Sequence, residues 1–251
     1  MATDTTLRLF AHYPALAERL ARFPLVQRPT EVRQLAGLGA ALGLEDLWLK
    51  DDSGGPPVGG NKARKLEFLV ADAISRQCRT LVTVGYLGTN HGLATTLAAR
   101  EAGLDTALVL VNEVATDHVR DTLLRCAALG ASLHYAPGEV TSVAVAAAAL
   151  AGGWLKGRAP YWVPPGGSSP LGTIGYVEAG LELGWQVQHG AGPRQACQLL
   201  RTGVAGDPVA TLGPATGPAR LEPGVRQQQA GGQHPQPAPP TSQGIHRQGF
   251  D

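Results

Sequence analysis

The chain has 251 residues and a formal net charge of +1, long enough for one large or two modest domains, and it lacks the clustered basic face that a nucleic-acid surface needs. No stretch is long and apolar enough to span a membrane: Val140–Leu155 is Ala-rich, short and followed by Lys156. Met1–Phe10 carries no basic region leading into an apolar run, so no signal peptide is expected. Cys78, Cys126 and Cys197 are odd in number and lack metal-ligand spacing, which suits structural thiols in a reducing cytoplasm and no metal site.

In chain order, Leu7–Arg22 predicts an amphipathic helix with Tyr13, Leu16 and Leu20 inward, closed by Phe23-Pro24. Pro29–Val32 reads as extended chain and Leu44–Leu49 as a strand. Asp51 and Asp52 are adjacent acids on a strand end and point to opposite sides, so solvation or a loop hydrogen bond is expected in preference to a metal. The glycines and prolines of Gly54–Gly60 cannot continue a helix backwards. Leu66, Leu69, Val70, Ala73 and Ile74 then recur at three-and-four spacing, which predicts a helix over Lys62–Gln77 with Asn61 as N-cap.

That helix puts Lys62 at a positively polarised N-terminus behind a glycine-rich approach, suited to an anion such as a phosphate. A lysine amine becomes nucleophilic only when burial or neighbouring positive charge favours its neutral form. Lys65, three residues on, lies beside Lys62 on the helix surface, whereas Arg64 points elsewhere. The competing reading of Lys62, Arg64 and Lys65 is a solvated basic first turn. A P-loop does not fit, because Lys62 is followed by Ala63 where that motif needs Ser or Thr. Among the 21 Lys and Arg, lysine stands only at positions 50, 62, 65 and 156, so a pair in one turn points to a use for the amine.

Beyond it, strands and helices alternate: strand Thr80–Val84, helix Asn90–Ala102, strand Thr106–Val111, helix Thr116–Leu129, strand Leu133–Ala136, helix Val140–Leu155, strand Tyr161–Val163. This is the pattern of an α/β fold with a parallel sheet and flanking helices, whose ligands bind off the carboxyl ends of the strands. The loop there, Gly85–Gly92, reads as a turn with Asn90 capping the next helix. Its glycines do not match the spacing of a dinucleotide-binding turn.

Leu47–Asp52 and Gly59–Phe68, with the segment Tyr161–Leu183 about a hundred residues later, resemble the D-cysteine desulfhydrase and 1-aminocyclopropane-1-carboxylate deaminase family of pyridoxal-phosphate enzymes. The resemblance covers roughly Phe23–His189. It implies a tryptophan synthase beta-like fold, with residues 1–79 and 161–189 in a large cofactor domain and residues 80–160 as a small α/β domain. It implies Lys62 as the lysine that holds pyridoxal 5'-phosphate, with Asn61, Lys65 and Asn90 as further cofactor contacts, and a homodimer. In that family a Ser-Asn pair stands at 89–90; on this reading Thr89 meets the substrate, Asn90 meets the cofactor's phenolic oxygen and substrate, and His91 helps bind the substrate carboxylate. The loop departs from the pattern at Tyr86, where a second glycine is usual, at Gly88, where a glutamine is usual, and at Thr89.

The implied activity is a lyase or deaminase acting on a small amino acid. D-cysteine would give pyruvate, sulfide and ammonia; aminocyclopropanecarboxylate would give 2-oxobutyrate and ammonia. The other readings are an inactive family remnant and a nucleotide-binding α/β module. From about Gly190 the chain turns rich in Gly, Pro and Gln, a composition too poor in apolar residues to offset its ordering entropy. Residues 190–251 therefore read as a disordered tail, and because the resemblance implies a C-terminal half of the large domain that is not recognisable there, the expectation is that this half is missing and the tail frameshifted.

Overall fold

The computed structural model describes residues 7–44, 46–54 and 58–193, together with two short strands near the end of the chain. In order these form α1 (Arg8–His12), α2 (Pro14–Ala17), β1 (Glu31–Gln34), α3 (Ala36–Leu42), β2 (Trp48–Asp51), α4 (Asn61–Ser75), β3 (Thr80–Tyr86), α5 (Asn90–Glu101) and β4 (Asp105–Val111). There follow α6 (Asp117–Ala128), β5 (Ser132–Ala136), α7 (Glu139–Leu155), β6 (Pro160–Trp162), a 3-10 turn at Pro165–Gly167, α8 (Pro170–Gln188), and the pair β7 (Gln198–Leu199) and β8 (Ala210–Thr211).

The predicted alternation is realised as a four-stranded parallel sheet in the order β5-β4-β3-β6. Its strands are apolar runs because both faces are covered. On one face Leu66, Leu69, Val70 and Ala73 of α4 pack with Leu81, with Ala94 and Ala98 of α5 and with Val163; on the other, Val109 and Ala136 meet Ala146 of α7. From β3 the chain steps outward through β4 to β5, then α7 carries it back across to β6 on the far side of β3. The carboxyl ends of β3 and β6 therefore flank the point where strand order reverses, the usual ligand crevice of an open α/β sheet.

Several expectations need correction. Leu7–Arg22 is not one helix. Pro14 lacks an N–H and disfavours the helical region for the residue before it, so the chain breaks at Tyr13 (φ −132°, ψ 73°). The buried residues there are Leu7 and Leu9, which join Phe68 of α4 and the flank of α8, while Tyr13 is exposed. The strand expected at Leu44–Leu49 lies at Trp48–Asp51, antiparallel to β1, and the helix α3 between them was not foreseen. Ile74 is exposed, and α4 is buried almost all round because α8 covers the side the periodicity left polar. Of the expected tail, residues 190–193 close the end of α8, and residues from 194 onward, Cys197 among them, lie outside the described residues apart from the backbones of β7 and β8.

Candidate active site

The approach to Lys62 depends on two glycines. Gly60 is the N-cap of α4 with φ 85° and ψ 178°, a backbone region open in practice only to glycine, and its N–H donates to the Asp52 carbonyl at 2.8 Å. A Cβ on Gly59 would lie 2.6 Å from the Ser53 carbonyl oxygen. Asn61 is thus the first helical residue, one position inside the cap expected of it. Lys62 is half-buried.

The first turn of α4 is not a solvated basic surface. Lys65 is 6% exposed, and its ammonium donates to the Gly166 carbonyl at 3.3 Å and to Ser168 Oγ at 3.0 Å, with the Tyr176 ring centroid 5.6 Å away. Gly167 admits this arrangement, because φ is 65° there and a Cβ would lie 3.4 Å from the Lys65 side chain. Arg64 is fully buried and makes a two-pronged pair with Asp52, both contacts at 2.7 Å. It also donates to Glu182 at 3.2 and 3.3 Å and to Thr30 Oγ1 at 2.9 Å. Asp52 therefore makes the loop hydrogen bonds expected of it, with Arg64 and Thr30.

Arg64 belongs to a buried ionic network that composition did not disclose. Glu182 also accepts from the Thr30 N–H at 2.8 Å and pairs with Lys50. Arg28 pairs with Glu67, which accepts further from Arg22 and from the N–H groups of Leu25 and Val26. Glu178 accepts from the Arg8 and Leu9 N–H groups at the start of α1. Burial alone would raise the carboxyl of Glu182, but Arg64 and Lys50 hold it down to about 2. At Lys50 burial outweighs the pairing with Glu182, and its pKa falls below the ordinary lysine value. The network locks β2, α4 and α8 together through Lys50, Asp52, Arg64 and Glu182.

The loop after β3 faces this turn. Thr89, not Asn90, caps α5: its Oγ1 accepts from the Gly92 N–H at 3.1 Å. Its side chain sits between two glycines, since a Cβ on Gly85 would lie 2.5 Å from Thr89 Oγ1 and one on Gly92 would lie 2.5 Å from Thr89 Cγ2. Asn90 is exposed and Thr89 half-buried. The departures at 86 and 88 have local partners: the Tyr86 hydroxyl donates to Glu139 at the start of α7, and the Gly88 N–H to Glu113 after β4.

His91, in the first turn of α5, is buried. It is 6% exposed, Nε2 lies 3.1 Å from Thr83 Oγ1 inside β3, and Nδ1 makes no hydrogen bond of ordinary length. Burial, followed by the charges of Lys62 and Lys65, lowers its pKa to about 4, so the ring is neutral at pH 7. Lys62, Lys65 and His91 thus share one electrostatic neighbourhood at the carboxyl ends of β3 and β6. Ser168, Tyr176 and Thr83 were not singled out from sequence; the first two lie within the Tyr161–Leu183 segment that carried the second resemblance. Cys78 and Cys126 are buried, and burial raises both thiols above their ordinary pKa, as structural cysteines require. No group of metal-ligating residues occurs among the described residues.

A half-buried lysine at a glycine-led helix mouth, with a second lysine and a neutral histidine beside it near the switch point of a parallel sheet, offers an amine and positive charge to an anionic carbonyl compound. The family profile described as pyridoxal-phosphate-dependent enzyme matches residues 24–207, and the chain belongs to that family. The match runs past His189, where the resemblance had been expected to stop.

A Pyrococcus abyssi protein provisionally named 1-aminocyclopropane-1-carboxylate deaminase is 37% identical over 178 residues, which are 69% of this chain and 52% of that protein. D-cysteine desulfhydrase of Serratia proteamaculans is 35% identical over 186 residues, 69% of this chain and 54% of the enzyme. The crystal structure of an ACC deaminase homologue superposes with a TM-score of 0.63 at 32% identity, covering 72% of this chain and 55% of that one. The chain spans about half the length of the relatives it matches.

The site fits the family's cofactor on the lysine side. The donor set pairs one amine able to bond covalently with a carbonyl with a second cation, Lys65, held on the next turn of the same face, and the buried ring of His91, whose Nδ1 has only the Pro164 backbone near it and no well-formed hydrogen bond, stands in the field of both lysines.

Proposed function

We propose that this chain is the lysine-bearing part of a pyridoxal-phosphate-dependent lyase or deaminase of small amino acids, of the D-cysteine desulfhydrase and 1-aminocyclopropane-1-carboxylate deaminase kind. The observation that carries the reading is that Lys65, in the first turn of α4 with Lys62, bonds to Gly166 and Ser168 just beyond β6 while His91, just beyond β3, packs on Thr83. Pyridoxal phosphate, when bound, supplies the electron sink for breaking a bond at the α-carbon. Lys62 is the residue assigned to hold the cofactor and Asn61 precedes it. Lys65 adds positive charge, which favours the neutral, nucleophilic amine at Lys62. Thr89 and Asn90 are assigned to substrate and cofactor. His91, neutral at pH 7, is able to offer a hydrogen bond to a substrate carboxylate without adding a full charge.

Residues 80–160 are taken as the small domain, and 1–79 with 161–189 as part of the cofactor domain; the shared core of α1, α4 and α8 supports the second grouping. A homodimer in the cytoplasm is proposed on family resemblance, and two buried free thiols suit that compartment. The test is borohydride reduction in the presence of pyridoxal phosphate, with peptide mapping of the label. The label is expected on Lys62 and lost in Lys62→Ala; a label on Lys65 alone, or none, refutes the assignment. Assay of pyruvate from D-cysteine and of 2-oxobutyrate from aminocyclopropanecarboxylate then separates the two substrates.

A further inference from the structure

The first turn of α4 is gripped from two directions. On the β2 side, Gly60 N–H reaches the Asp52 carbonyl and Arg64 pairs with the Asp52 carboxylate. On the other side is α8. It comes against the α4 backbone at Gly175, where a Cβ would lie 2.1 Å from the Arg64 carbonyl oxygen. The next residue is Tyr176, half-buried, whose hydroxyl donates to the Asn61 carbonyl at 3.2 Å while its ring flanks the Lys65 ammonium. The Asn61 carbonyl and the Lys62 N–H belong to one planar peptide unit. A hydrogen bond to that carbonyl therefore sets the tilt of the plane from which the Lys62 side chain departs.

We propose that Tyr176 is a positioning residue for Lys62: it orients the 61–62 peptide from α8 and, through its ring, keeps the Lys65 ammonium on the same side. This rests on the reading of Lys62 given above. Tyr176 is suited to the task because its phenol is rigid over two torsions, and because Gly175 lets the two helix backbones come close enough for the hydroxyl to reach a carbonyl that normally faces only its own helix. The neighbouring Glu178 and Glu182 of α8 are committed to the ionic network, so α8 presents Tyr176 from a fixed base.

The test is Tyr176→Phe, which keeps the ring and removes the hydroxyl. In cofactor-free protein, hydrogen exchange of the amides of residues 61–65 is expected to quicken about fivefold, the effect of one hydrogen bond of ordinary strength, while the sheet amides are unchanged. Capture of added pyridoxal phosphate on Lys62 is expected to weaken about fivefold, and the pH profile of Lys62 acetylation without cofactor to shift. Tyr176→Leu, which removes the ring as well, is expected to shift the acetylation of Lys65 too. Unchanged exchange in residues 61–65 overturns the proposal. So does faster exchange spread evenly over α4, α8 and the sheet, the mark of a merely structural side chain. No label on Lys62 in the parent chain refutes the functional reading instead, and the exchange measurement, which uses no cofactor, still decides whether Tyr176 holds the turn.

Discussion

Replacing Glu182 by Gln keeps the shape of the side chain and removes its charge from the centre of the ionic network. Glu182 is 2% exposed and accepts from Thr30, Lys50 and Arg64. Its carboxyl is held at about 2 in the folded chain against an ordinary 4.5, and that difference corresponds to about 3 kcal/mol. Removing one partner of a buried ion pair costs roughly 3–5 kcal/mol by a separate route, and the two figures agree. Because the folded-state pKa is depressed, the contribution is complete above pH 4.5 and is lost as the pH falls towards 2. Urea unfolding followed by circular dichroism should therefore show Glu182→Gln less stable by about 3 kcal/mol at pH 7, and thermal unfolding a midpoint lower by roughly 6–12 °C. The gap from the parent should narrow as the pH is taken below 4.5. A loss under about 1 kcal/mol at pH 7, or a gap as wide at pH 3 as at pH 7, refutes the reasoning.

His91 carries the opposite kind of group with the same sign of effect: its folded-state pKa of about 4 lies below the ordinary 6.5, so its contribution, up to about 3 kcal/mol, is present above 6.5 and fades as the pH drops towards 4. An NMR titration of its imidazole with a midpoint at or above 6.5 contradicts the burial argument. Gln77 occupies the left-handed position after α4 with φ 57°, where α5, α6, α7 and α8 each end on glycine; Gln77→Gly is expected to stabilise the fold by up to about 1 kcal/mol, read from the urea midpoint. Gly175→Ala drives a methyl group into the Arg64 carbonyl, and a loss of at least about 2 kcal/mol in thermal unfolding is expected; an unchanged midpoint means that α4 and α8 separate freely.

The sequence by itself determined the alternation of elements from Thr80 to Val163, because apolar period and glycine punctuation are local signals read within one element. It also marked Lys62 and the Gly85–Gly92 loop, since glycine before a helix mouth and a loop after a buried strand leave local traces. Cap positions shifted by one residue at Asn61 and Asn90, where the neighbouring glycine or threonine supplies the geometry. What only the tertiary structure decided are the contacts made across large separations in the chain. Arg64 meets Glu182, Lys65 meets Ser168 and Tyr176 meets Asn61 over more than a hundred residues. A charged residue on a helix reads as solvent-facing until the element that covers it is in place, and α8 is that element. The same packing turned His91 from a loop residue into a neutral buried one, because its state depends on the low-dielectric surroundings and the two lysines brought beside it.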